Sequence, residues 1–273
     1  MKLGIVGKGG VGKTTLSGLL CRAYVEKGRR VLAVDTDSNP NLAMSLGLSE
    51  EVANATPVVP RALVVGAGNG EMSPAQLIAD YGLPTPFGVT LLHAMRVDQA
   101  GAGCTCSSHT TVRSLLGAAI EEEADLTLVD MEAGLEHLSR SGGTLAYADV
   151  LLMVMEPTVK SILTAARTVP LARELGIPRV YGVGNKAQPG DEEFYARVAA
   201  EHGVPMAGVV PFDRVLGDAD RRGEAVPDEG ADEVRAAVNR IVELLESPDD
   251  ERDALLAERV RLDARIASLT VNS

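Results

Sequence analysis

The segment Gly7-Lys8-Gly9-Gly10-Val11-Gly12-Lys13-Thr14 fits the pattern G-x-x-x-x-G-K-S/T, directly after a strand-like apolar run and directly before a helical pattern. Gly9, Gly10 and Gly12 let the backbone around Val11 turn its N–H groups inward about phosphate oxygens, and the start of a helix adds positive potential. Lys13 would reach the β- and γ-phosphates, Thr14 would offer its hydroxyl to Mg2+, and Thr15 would touch the α-phosphate. The chemistry open to these residues is binding and cleavage of a nucleoside triphosphate. A glycine turn without function needs neither Lys nor Thr at these offsets.

Acids follow at strand ends. Asp35 and Asp37 leave the second strand at its carboxyl end, where open α/β sheets place ligands, so both can reach the phosphate site. Asp35 supports either the Mg2+ shell or the loop itself, and the alternative work for Asp37 or Asn39 is to cap a helix over residues 42–46. Leu126, Thr127, Leu128, Val129 and Asp130 read as an apolar strand ending in an acid, the Walker B arrangement, in which Asp130 holds Mg2+ directly or through water. Gly134 completes an Asp-x-x-x-Gly segment, where a backbone N–H can sense the γ-phosphate and hydrolysis can move residues 135–143.

The cysteines are Cys21, Cys104 and Cys106. In a reducing compartment, two thiols separated by one residue point to a metal or redox task more than to a structural bridge. One chain supplies a pair of thiolates, and soft four-coordinate metals commonly take four. A symmetric homodimer would complete such a site with Cys104 and Cys106 from each subunit. Ligand softness suits Zn2+ as well as Ni2+. His109 is either a supplementary ligand or a polar residue near a helix start, and Cys21 falls on the apolar side of the first helix.

These residues need a scaffold that gathers strand ends. Short aliphatic runs at residues 3–6, 31–34, 126–129, 150–155, 180–183 and 207–210 alternate with helical patterns. That order predicts an α/β fold: a single P-loop domain over residues 1–246, its mainly parallel sheet flanked by helices on both faces. The first helix starts at Gly12 or Lys13, buries Leu16, Leu19, Leu20 and Ala23, and closes at Gly28. The Gly- and Pro-rich stretch 56–98 reads as loops with a short helix at 74–81 and a strand at 90–95. A helical pattern follows over residues 111–122. Residues 247–273 read as a helical extension, with Leu255, Leu262, Ile266 and Leu269 at heptad-like spacing. It either packs on its own domain or forms an interface.

The bulk properties narrow the partners. With 273 residues and 45% hydrophobic content the chain can bury a sizeable core without a second domain. A net charge of -12 argues against nonspecific nucleic-acid binding and against an anionic membrane surface, leaving small molecules and proteins. The first residues run straight into a strand and glycine loop, with no room for a signal peptide, and no apolar run approaches the roughly 18 residues of a span. The expected location is cytoplasmic.

With its second lysine, Lys8, the loop Lys-Gly-Gly-Val-Gly-Lys-Thr-Thr resembles the deviant Walker A signature of the superfamily that includes MinD, ParA and the nitrogenase iron protein. The resemblance implies that Lys8 crosses a dimer interface to the partner's nucleotide, so that ATP binding and dimerisation are one event. It implies that Asp37 positions and polarises the attacking water. It also implies that Asn185 contacts the adenine edge, with backbone near Pro211 and Phe212 completing the pocket. Adenine itself rests on the resemblance, since Gln188 stands where an Asn-Lys-x-Asp motif would have its acid.

The segments around Cys104 and Cys106 and from Asp130 to Leu138 are similar to the CooC-type accessory ATPases of carbon monoxide dehydrogenase. That similarity implies nickel at an interfacial cysteine pair, ATP hydrolysis, and carbon monoxide dehydrogenase as client. It leaves Glu132 and His137 as switch II hydrogen-bonding groups, client contacts or surface residues. A nitrogenase-type reductase would need widely separated cluster cysteines, and none occurs after Cys106. A partitioning or positioning ATPase without a metal role is the alternative. Basic patches or a terminal anchor would favour it; the charge and the cysteine pair count against it.

Overall fold

The computed structural model describes residues 1–37, 41–60, 63–65, 71–94, 106–117, 120–131 and 145–248. Its strands are β1 (Lys2–Gly7), β2 (Val31–Asp35), β3 (Leu83–Pro84), β4 (Val89–His93), β5 (Leu126–Asp130), β6 (Val150–Met155), β7 (Arg179–Ala187) and β8 (Met206–Pro211). They form one sheet in the order β3-β4-β2-β5-β1-β6-β7-β8, parallel throughout except for β3 against β4. The helices are α1 (Lys13–Glu26), α2 (Leu42–Ser45), α3 (Glu50–Ala55), α4 (Pro74–Tyr81), α5 (Cys106–Gly117), α6 (Val159–Glu174), α7 (Asp191–Glu201), α8 (Arg214–Arg222) and α9 (Asp232–Glu246).

Period-two alternation along the strands divides the core between the two faces. Leu3 and Ile5, Val31 and Ala33, Leu128 and Leu152 pack with Leu16, Leu20 and Tyr24 of α1 and Val238 and Ile241 of α9. Leu32 and Val34, Val129, Leu151 and Met153 point the other way, onto Leu115 of α5, Ile162 of α6 and Tyr195 of α7. Strands covered on both faces must be apolar on both, and β2, β5 and β6 are buried along their whole length.

The expected strands are all present. The helix at residues 74–81 has the predicted bounds, with Ser73 capping it through a bond from the Gln76 N–H. The strand expected at 90–95 lies at Val89–His93. Two expectations need correction. The helical pattern placed at 111–122 starts earlier, at Cys106, and ends at Gly117, with a separate 3-10 turn at Ile120–Glu122. The short antiparallel β3 was not expected. The last described helix ends at Glu246, and residues 249–273 lie outside the described residues. Among the described residues, no helix is long and apolar enough to cross a membrane.

β1 lies between β5 and β6, where the chain's progress through the sheet reverses. A crevice opens at such a switch point beyond the carboxyl ends of the strands, and the loop after β1 occupies it.

Candidate functional site: the P-loop and two strand-end acids

The loop from Gly7 to Lys13 is held in shape by glycine at two left-handed positions, Gly10 (φ 81°) and Gly12 (φ 90°). A Cβ on Gly12 would stand 2.4 Å from the amide nitrogen of Asn185, so the position is closed to other residues by both backbone and neighbour. Gly12 immediately precedes α1 and brings no capping side chain, which leaves first-turn N–H groups for a ligand. Val11 plugs the loop into the core, whereas Lys8, Gly9 and Gly10 are exposed. The buried Lys13 donates from Nζ to the Lys8 carbonyl at 3.2 Å, closing the loop on itself.

The carboxyl end of β7 braces this loop from behind. Asn185 Nδ2 donates to the Val11 carbonyl at 2.8 Å. Lys186 Nζ donates to the Gly10 carbonyl at 2.5 Å and pairs with Glu156 Oε1 at 3.0 Å. The buried Tyr195 hydroxyl lies 2.9 Å from the Met155 carbonyl and 2.8 Å from that of Asn185, tying the ends of β6 and β7 together. Pro211 pairs with Ala187, and the Phe212 N–H donates to the Ala187 carbonyl while its ring is 48% exposed. The three residues expected around the base thus meet at the ends of β7 and β8. The Asn185 amide is engaged with the P-loop.

The acids divide their work. Asp35, 1% exposed, accepts the Asp37 N–H on Oδ1 at 3.1 Å and the Leu42 N–H on Oδ2 at 3.0 Å. It therefore builds the loop, one of the two tasks open to it, and also accepts at the start of α2, the capping expected of Asp37 or Asn39; Asn39 lies outside the described residues. Thr36 donates its N–H and its hydroxyl to the Asp130 carbonyl, at 3.1 and 2.8 Å, stitching β2 to β5. Asp130, 2% exposed, has a buried Oδ1 with no hydrogen-bond partner among the described residues.

Burial pushes the Asp130 carboxyl above the ordinary carboxylate range, and the neighbouring Thr14 hydroxyl, Lys13 ammonium and Ser17 hydroxyl pull against it while Asp37 adds to it. Burial also raises Asp35, reinforced by Asp130 and opposed by its two backbone N–H bonds. Thr14, Lys13, Asp37 and Asp130 consequently share one electrostatic environment at the mouth of the P-loop. Their donor set suits a hard divalent cation: a buried carboxylate oxygen lacking a partner, next to a hydroxyl.

Sequence reasoning gave Glu156, Lys186, Thr36 and Tyr195 no role at the site. Only an Asn-Lys step at a strand end hinted at the β7 brace. Cys104, Gly134, Glu132 and His137 lie outside the described residues; Cys106 opens α5 and His109 lies within it. Among the described residues, no group of three or more His, Cys, Asp or Glu could hold a metal ion. Cys21 is fully buried, and burial pushes its thiol far up, as expected of a core cysteine.

The model of the CobQ/CobB/MinD/ParA nucleotide binding domain matches residues 5–226. The carbon monoxide dehydrogenase accessory protein CooC of Rhodospirillum rubrum is 37% identical over 82% of this chain and 88% of its own length. The chain is a CooC-type ATPase of the CobQ/CobB/MinD/ParA family. An uncharacterized ATP-binding protein of Methanocaldococcus jannaschii is 33% identical over 89% of this chain and 98% of its own. In fold, this CooC-type chain resembles the septum site-determining protein MinD of Pyrococcus horikoshii, solved with Mg-ADP. The TM-score is 0.70 at 20% identity, covering 90% of this chain and 96% of that one.

Proposed function

We propose that the chain hydrolyses ATP with Mg2+, dimerises with it, and in that dimer carries nickel between Cys104 and Cys106 of two copies for insertion into carbon monoxide dehydrogenase. The observation that carries the catalytic part is the unpartnered, buried Asp130 Oδ1 in the same environment as Lys13, Thr14 and Asp37.

Mg2+, when bound, neutralises charge on the β- and γ-phosphates, and Thr14 and Asp130 are the residues that would hold it. Lys13 exchanges the Lys8 carbonyl for phosphate oxygens. Val11 and Gly12 offer backbone N–H groups, and Thr15 takes the α-phosphate. Asp37 orients the water that attacks the γ-phosphorus as the bond to the β-phosphate oxygen breaks. The exposed Lys8 reaches the nucleotide of the partner subunit. Asn185, with backbone of Pro211 and Phe212, bounds the adenine site, and Gly134 senses the γ-phosphate.

Two observations support the metal cargo: the Cys-x-Cys pair and the 37% identity to CooC, whose name ties that protein to carbon monoxide dehydrogenase. Topology is also favourable. The chain leaves β4 at the same carboxyl edge as the P-loop, and α5, which Cys106 opens, leads back to the parallel β5. Zn2+ is chemically acceptable to the same thiolates, and nickel follows the CooC likeness. Sedimentation with Mg2+ and ATP tests the dimer: Asp37→Ala should accumulate as a dimer and Lys8→Ala should stay monomeric. An Asp37→Ala protein whose sedimentation nucleotide does not move, or a Lys8→Ala protein that dimerises as Asp37→Ala does, contradicts this reading.

A further inference from the structure

Among the described residues, Lys186 is the only non-glycine with positive φ, at 56°. The left-handed conformation is unfavourable for a lysine, so it persists only where its surroundings hold it. The side chain grips the Gly10 carbonyl and Glu156 Oε1, at 2.5 and 3.0 Å, while Asn185 beside it grips the Val11 carbonyl at 2.8 Å.

A peptide unit is planar and trans, so its C=O and N–H point in opposite directions. Turning the Gly10 carbonyl toward Lys186 therefore turns the Val11 N–H away from it, toward the mouth of the loop. Turning the Val11 carbonyl toward Asn185 does the same for the Gly12 N–H. Glycine on either side of Val11 leaves these units many orientations, so a choice among them must come from outside the loop.

We infer that Lys186, held by Glu156, is a positioning residue that presets the P-loop N–H groups for a nucleotide's phosphates. This rests on the reading of the loop as a nucleotide site. Glu156 matters because an unpaired ammonium at this distance would be drawn to the triphosphate, away from the carbonyl. The ion pair itself is partly exposed, at 43% and 39% for the two side chains, and adds little stability. The effect is on orientation.

An orientation used equally by bound ATP and by the transition state changes binding and leaves turnover alone. The test measures ATP affinity with Mg2+ by calorimetry, kcat and KM, and Tm, on the full chain and on Lys186→Gly, Lys186→Arg and Glu156→Gln. Glycine accepts φ 56° without strain, so Lys186→Gly should melt no lower than wild type. Its Kd and KM should nevertheless rise about five-fold or more with kcat within about two-fold, the loss of one charge-assisted bond. Lys186→Arg, which keeps a cationic donor, should restore most of the affinity, and Glu156→Gln should lose part of it. A Lys186→Gly protein with wild-type Kd, or with lowered kcat at unchanged Kd, overturns the inference. Failure of the wild type to bind ATP would instead overturn the nucleotide reading beneath it.

Discussion

Asp35 and Asp130 stand opposite each other in register on adjacent parallel strands, both buried. The first spends both oxygens on the backbone N–H groups of Asp37 and Leu42, and the second keeps Oδ1 without a partner among the described residues. One carboxylate builds the loop that carries Asp37, and the other is left for a ligand.

Their burial has a pH signature. Both carboxyls titrate above the ordinary range, so the folded state keeps protons that the unfolded chain has released. Stability then falls as pH rises above the ordinary carboxylate value of about 4. Without Mg2+ or nucleotide, Tm should drop between about pH 5 and pH 8, and Asp35→Asn should flatten that slope while lowering Tm throughout. Asp125, held down to about 2 by hydrogen bonds from Arg30, acts with the opposite sign and only below that window. An Asp35→Asn slope identical to wild type would show that the pair does not set it.

Asp37→Ala should slow single-turnover ATP hydrolysis by about 10²- to 10⁴-fold, the usual worth of a group that orients or accepts a proton from the nucleophile. ATP affinity should change little, because the proposed phosphate grip of the P-loop does not use Asp37. Normal turnover in this variant would remove Asp37 from the chemistry.

Gly12→Ala and Gly10→Ala separate two demands on the loop. Both place a side chain at positive φ, costing about 1–2 kcal/mol. Only at Gly12 does the new Cβ strike Asn185, whereas nothing among the described residues lies within 4 Å at Gly10. Chemical denaturation should find Gly12→Ala the less stable of the two, and ATP binding should suffer more. Equal losses would mean that the Asn185 contact yields without consequence.

The P-loop was legible in the sequence because its function requires fixed residue types at fixed offsets, between a strand and a helix that announce themselves by periodicity. β2, β5 and β6 were legible as unbroken apolar runs. β3 was not: two residues, one of them Pro84, carry no periodic signal and become a strand only by pairing with β4. The start of α5 was missed because Ser107, Ser108 and His109 are polar and weak helix formers, and the apolar pattern begins only at Val112. Asp35 and Lys186 depended on register and on the return of β7 to the P-loop, contacts between residues far apart in sequence that no local pattern encodes.

Nickel titration of wild type and of the Cys104→Ser/Cys106→Ser variant, each with and without Mg2+ and ATP, reads both halves of the proposed function at once. The expected result is one Ni2+ per two chains, with thiolate-to-metal absorption, promoted by ATP and abolished in the double variant. One metal ion per chain, bound equally well by the double variant, would contradict it.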